Sequence, residues 1–441
     1  MSLAPPPTVW KLQKTLHAKA KEAPNYRFYA LYDKVYRRDV LEHAYRCCRT
    51  NGGAAGVDGQ TFDDIEAYGV ARWLDELTEE LRADSYRADA VRRVYIPKAN
   101  GKQRPLGIPT VKTRVVQMAV VLVLGPIFEV DLPPEQYAYR RRVSAHDAVR
   151  RVHKLINAKH THVVDADLSG SFDTIPHFEL MKSVARRVSD RRILRLVKMW
   201  LVAPVEETDE RGRTHRTTRN KDEARGCPQG APISPLLANL YMRRFILGWK
   251  ALGHERRFRA RIVNYADDFV ICCRGDAREA AAAMRDMMRR LKLTVNEEKT
   301  HVCRVPEESF DFLGYTFGHC RSAKTGRLYL GSQPSQKKVQ QLCREISEQT
   351  SRRWEGRSHQ TQIALLNQKL VGWANYFCLG PVSKPYSRID YHVRNRLRHW
   401  LRRKHKVQGR GTSRFPDRYL NEKLGLVRLC QWMRNLPWAK A

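Results

Sequence analysis

The sequence predicts an α+β chain that ends in a separate helical, strongly basic module. Three observations carry this. Between residues 25 and 320, helical stretches such as Leu31 to Arg49 alternate with short β-rich runs at Val91 to Ile96, His162 to Leu168 and Ile262 to Cys272. Residues 351–441 hold twenty Lys and Arg against four Asp and Glu, so a fifth of the chain supplies +16 of a net +35. Residues 360–405 read as two amphipathic helices, one with Ile363, Leu366, Leu370, Trp373 and Phe377 on a face, the next with Tyr386, Ile389, Val393, Leu397, Trp400 and Leu401.

Composition excludes several classes. A chain of 441 residues that is 42% hydrophobic and 29% charged can bury a large core and is not a disordered basic tail. A pI near 10.1 calls for a polyanionic partner, because each cation that neutralises a phosphate releases a counterion. No membrane is expected. The opening Met1 to Pro7 lacks an apolar signal region, and the apolar run Val115 to Leu124 is about half of the ~20 residues a spanning helix needs. The ten cysteines form no C-x-x-C pair, which suggests thiols in a reducing cytoplasm rather than zinc ligands.

The central carboxylates carry the chemistry. His162 to Asp167 is a strand-like run with Asp165 and Asp167 two apart, hence on one face, before a break at Gly170. A charged, aperiodic segment from Glu206 to Arg225 reads as an exposed loop or long hairpin. Ser234 followed by Pro235 reads as an N-cap with proline at N1, opening an apolar helix. In Arg261 to Cys272, two β-type runs flank Tyr265-Ala266-Asp267-Asp268, placing adjacent carboxylates at a hairpin tip. Like charges side by side are costly unless a cation compensates them. Three carboxylates from two strands can hold two Mg²⁺ ions about 3.5–4 Å apart, one activating a hydroxyl and one stabilising leaving pyrophosphate. Gly331 to Lys338 reads as a linker. In the second basic helix, Arg394, Arg398 and Arg402 form an i, i+4, i+8 stripe that repulsion disfavours without a polyanion.

Three blocks in order resemble a known family. Asp167, Gly170, Phe172 and Asp173 (D-x-x-G-x-F-D), the run Gly226 to Tyr241 with Gln229, and Tyr265 to Asp268 (Y-A-D-D) look like the palm of reverse transcriptases encoded by bacterial group II introns. The resemblance implies a right-hand polymerase: fingers and an antiparallel-sheet palm at 25–330 after an N-terminal extension (1–24), a helical thumb or maturase (X) domain at 331–405, and a short basic tail at 406–441. It implies catalytic metal ligands at Asp167, Asp267 and Asp268, with Asp165 and Asp173 supporting them. Phe172 becomes a sugar gate selecting dNTPs, and Gln229 lies near the templating base and incoming nucleotide.

The basic hairpin Tyr95 to Pro109 would be fingers, its Lys98 and Arg104 contacting triphosphate and Lys102 a further basic candidate. Glu135 to Ala148 resembles the family's F-R-P-G-R-S block but carries Arg141-Arg142-Val143 where Pro-Gly-Arg is usual, so the template contact falls to one of the arginines at 140–142, with Arg142 the candidate. Leu291 to Thr300 and Ser309 to Tyr315 match the last two blocks, with Phe312 to Tyr315 as primer grip. Val371 to Phe377 and Arg402 to His405 resemble the maturase domain, where Arg394, Arg398 and Arg402 would bind nucleic acid.

The implied cofactor is Mg²⁺, two ions, with Mn²⁺ a substitute. The implied partners are intron RNA, an RNA template with a DNA primer, dNTPs and target DNA. The expected place is the cytoplasm, at the nucleoid when on DNA. No H-N-H or C-x-x-C pairs follow His405, so no zinc-supported endonuclease is expected. Two other readings stay open: a host-recruited reverse transcriptase in defence or repair, and a non-catalytic RNA-binding splicing factor.

Overall fold

The computed structural model describes residues 3–97, 103–209, 211–321 and 326–432. Its first half is organised around one apolar helix. Helix α1 (Pro7–Glu22), α2 (Arg38–Asn51) and α3 (Val70–Arg82) precede a hairpin of β1 (Val91–Pro97) and β2 (Gln103–Ile108), and then comes α4 (Val111–Glu129). The helix expected over Leu31 to Arg49 is split, with a short helical turn at Tyr32–Val35 before α2.

By length and composition α4 could cross a membrane, but it is the core helix here: Val115, Val116, Val120, Leu124 and Phe128 are fully buried. Pro126 interrupts it. A proline has no N–H to give the carbonyl four residues back, so the Leu122 carbonyl needs another donor. Gln13 of α1 supplies it, with Nε2 at 2.9 Å, and this pins the N-terminal helix to the core.

The palm follows. Helix α5 (Ala145–Asn157), opened by a Ser144–Asp147 capping box, leads into β3 (His162–Asp167). Helices α6 (His177–Ala185) and α7 (Arg191–Leu201) are followed by β4 (Val205–Thr208) and β5 (Thr214–Thr217). The segment Glu206 to Arg225 is therefore largely a hairpin, and β4 joins the fingers sheet in the order β2-β1-β4-β5. Next come α8 (Ser234–Ala251), β6 (Ala260–Tyr265), β7 (Asp268–Cys273), α9 (Ala277–Arg290) and β8 (His301–Arg304).

The palm sheet runs β6-β7-β3-β8, all antiparallel, with β3 and β7 buried between α4, α8 and α9 on one face and α5 on the other. Ser234 is not the cap of α8. Its hydroxyl bonds inward to the Pro228 carbonyl at 2.7 Å and its side chain caps nothing. The loop before the helix needs that anchor more than the helix start, where Pro235 already removes one orphan donor.

The last segment changes two boundaries. Strands β9 (Phe310–Phe312), β10 (Tyr315–Arg321) and β11 (Leu328–Pro334) form a third sheet, and Ser335 caps a helix α10 (Gln336–Gln349). The expected linker at Gly331 to Lys338 is thus strand and helix start. It reads as a linker because its few apolar residues leave no period to detect. The two predicted helices are α11 (His359–Tyr376) and α12 (Ser383–Lys404), and α10 packs with them. The segment after residue 405 is not a separate tail, since Phe415, Leu420, Leu426 and Leu429 are buried in the same core.

Candidate active site

The strand register assembles the acidic centre. Asp167 at the end of β3 pairs directly with Asp268 at the start of β7, and Tyr265 of β6 faces Asp268 from the other side. The intervening turn is two residues, Ala266 at φ +58° and Asp267, braced by Asn264 Nδ2 on the Ala266 carbonyl at 2.8 Å. An alanine in the left-handed region is strained. Here the turn's reward is that the carboxylates of Asp167, Asp267 and Asp268 meet at one end of the central strands.

The electrostatics follow from that crowding. Burial, then the charges of Asp165, Asp167 and Asp267, push the Asp268 carboxyl up to about 8. Burial and Asp167 raise Asp267 as well. Asp165, one strand step behind, is buried and raised to about 6, first by desolvation. Two cationic or polar groups answer the charge on Asp167: Lys299 Nζ donates to Oδ2 at 2.6 Å and Asn296 Nδ2 donates to the same oxygen at 3.3 Å. Neither residue is among the site residues that the sequence predicts. Their three-residue spacing in Asn296-Glu-Glu-Lys299 was the available signal.

A folded pKa above the ordinary carboxylate value means that folding favours the protonated form. This contribution is fully present below the ordinary range of about 4 and is lost as pH rises through about 8. Asp268→Asn is therefore expected to stabilise the protein in chelator at pH near 8 by about 1–3 kcal/mol, read by calorimetry against wild type.

Around the centre lies a cleft of about 910 Å³ whose walls include Arg104, Tyr139, Phe172, Gln229, Asp267 and Lys299. Phe172 follows Gly170, which turns the chain at φ +56°, and its carbonyl accepts from Cys227 N at 2.6 Å. Gln229 donates from Nε2 to Asp173 Oδ2 at 3.1 Å, and its carbonyl accepts from Gly107 N of the fingers at 2.7 Å. Only glycine fits beside this link: a Cβ on Gly230, at φ +106°, would lie 2.6 Å from the Gly107 carbonyl.

The other expected contacts divide. Lys98 and Lys102 lie outside the described residues. Of the three arginines, Arg140 is held by Glu129 at 2.7 Å and Arg141 by Gln13 at 2.8 Å. Arg142, at φ +61°, is exposed with no ion pair or hydrogen bond among the described residues. The stripe on α12 is partly engaged within the chain. Arg394 and Arg398 both bind Asp417, at 2.9 and 2.5 Å, Arg398 is 8% exposed, and Arg402 donates to the Gly409 carbonyl at 2.8 Å. The repulsion between Arg394 and Arg398 is partly relieved by the chain's own Asp417, which the sequence places beyond the helix.

The turn at Leu313-Gly314 reaches the centre from the third sheet. Its Leu313 amide hydrogen-bonds to Asp268, and its Leu313 carbonyl accepts from Tyr376 Oη of α11 at 2.9 Å. Phe377 packs where a Cβ on Gly314 would come within 3.1 Å. The helical module is therefore docked on the turn that holds Asp268.

Two family profiles match the chain, the "Reverse transcriptase (RNA-dependent DNA polymerase)" family over residues 96–317 and the "Group II intron, maturase-specific domain" over 339–435. The chain belongs to the group II intron reverse transcriptase/maturase family. Protein YkfC of Escherichia coli K12 is 32% identical over 375 residues, covering 76% of this chain and 95% of that protein. Group II intron-encoded protein LtrA of Lactococcus lactis subsp. cremoris is 28% identical over 279 residues, or 62% of this chain and 43% of LtrA, so the match spans less than half of LtrA's length.

Reverse transcriptases of this family act as RNA-directed DNA polymerases and use divalent metal ions. The donor set fits such an ion: it is all hard oxygen and short of cations. Among the described residues, no three His, Cys, Asp or Glu side chains could enclose an ion unaided.

Proposed function

We propose that this chain copies RNA into DNA at the Asp167–Asp267–Asp268 cluster, assists splicing of the intron RNA that encodes it, and copies that RNA at a DNA target. The observation that carries the polymerase reading is the register that sets Asp167 opposite Asp268 beside a cleft wide enough for a nucleotide and primer end. Two Mg²⁺ ions held by these carboxylates, with Mn²⁺ as substitute, would supply the charge that activates a primer hydroxyl and offsets the leaving pyrophosphate.

The chain's own residues do the positioning. Arg104 in the fingers wall neutralises the triphosphate, a role that Lys98 and Lys102, outside the described residues, would share. Phe172 lies under the sugar, and Gln229, steadied by Asp173, faces the nascent base pair. Arg142 remains for a template phosphate, since Arg140 and Arg141 are spent internally. Lys299, bonded to Asp167 Oδ2, holds that carboxylate in place. The protein works in the cytoplasm and at the nucleoid when bound to DNA. Extension of a DNA primer on an RNA template by purified protein with dNTPs and Mg²⁺ tests the first part. Faster splicing of the flanking intron RNA on adding protein tests the second, and equal splicing with and without it would remove the maturase role.

A further inference from the structure

A second groove, of about 470 Å³, lies between α1, the Pro126 turn of α4 and the start of α8. It is built rather than incidental. Gln13, 5% exposed, spans it from below: Nε2 takes the Leu122 carbonyl that Pro126 leaves unpaired, and Oε1 accepts from Arg141 at 2.8 Å. The turn at its rim carries Tyr139 at φ +57° and Arg142 at φ +61°, a strain of about 1–3 kcal/mol each outside glycine. Asn239 Nδ2 on the Ala138 carbonyl at 2.8 Å and Gln136 Nε2 on the Asn239 carbonyl at 3.0 Å fix that turn to α8.

The chemistry of the groove is specific. Its floor is aliphatic, and Trp10 stands at its edge 51% exposed, with the Lys14 ammonium 4.8 Å from the ring centroid. Arg142 sits at the opposite rim. The acid in the lining, Glu129, is neutralised by Arg140. Tyr139, Pro232 and Pro235 line both this groove and the catalytic cleft, so one strand can run through both. An exposed indole flanked by cations over an apolar floor is how proteins hold single-stranded nucleic acid, by stacking and phosphate neutralisation.

We propose that this groove holds an unpaired nucleotide of the template strand, its base stacked on Trp10 and its phosphates against Arg142 and Lys14. The proposal rests on the polymerase reading for the identity of the strand. A base already paired in the duplex has its faces covered by neighbours and cannot use the indole, so the occupant is template not yet copied.

The test compares templates with a single-nucleotide overhang and with a long one. In wild type the long overhang lowers KM for primer–template by about tenfold, the scale of one stacked base. Trp10→Ala is expected to collapse that ratio and Trp10→Phe to keep it. Independently of catalysis, 2-aminopurine placed along the overhang is quenched on binding to wild type and not to Trp10→Ala. An unchanged ratio and unchanged quenching in Trp10→Ala would overturn the proposal, as would an equal loss on both templates, which marks a purely structural role for α1. Absence of extension with quenching intact would count against the polymerase reading and leave the groove standing.

Discussion

Asparagine at Asp167, Asp267 or Asp268 is expected to slow single-turnover addition of a deoxynucleotide by about a thousandfold or more in each case, with primer–template affinity within about twofold of wild type. The substitution is close to isosteric, so the β3–β7 register and the two-residue turn remain. What disappears is one negative oxygen donor in a cluster that is already poor in cations. The stability effect should run the other way. Asp268, raised to about 8 by burial and three neighbouring carboxylates, costs the metal-free fold stability at neutral pH, and asparagine removes that cost. Loss of rate with a gain in stability separates a catalytic charge from a structural one, because removing a structural aspartate would lower both.

Phe172→Ala is expected to raise the efficiency of ribonucleotide incorporation relative to deoxyribonucleotide by about 10–100-fold, measured as the ratio of kcat/KM for a matched pair. Phe172 lines the catalytic cleft on one side, and on the other it packs against the buried core that includes Leu168 and Ile175. Its ring is therefore backed by core and cannot retreat, as a steric exclusion of a 2′-hydroxyl requires. The backbone is tied at the Phe172 carbonyl to Cys227, so truncation of the ring leaves the helical turn Ser171–Thr174 in place. A ratio that stays at its wild-type value while overall rate falls would mean that Phe172 only fills core.

Much of the centre was legible because strand chemistry is local. Period-two spacing put Asp165 and Asp167 on one face, and the apolar runs around Tyr265 to Asp268 announced a hairpin, but only the fold could place the two strands side by side. What stayed hidden depended on distant partners. The Arg394–Arg398–Arg402 stripe reads as wholly free for a polyanion until Asp417 folds back onto Arg394 and Arg398. Ser234 reads as a cap until the Pro228 carbonyl is found beside it. The burial of residues 406–432 rests on single apolar side chains scattered among Gly, Arg and Pro, a pattern with no period. Lys299 and Tyr376 reach the centre across 132 residues from Asp167 and 63 from Leu313. No local signal encodes such pairings.

The most direct measurement is primer extension by the full chain on an RNA template with a DNA primer, dNTPs and Mg²⁺, run beside Asp267→Ala/Asp268→Ala. The account predicts templated DNA product from wild type, none from the double variant or in chelator, and equal retention of primer–template by both proteins. Product that survives the double substitution, or a wild type that binds the primer–template yet adds no nucleotide, would contradict it.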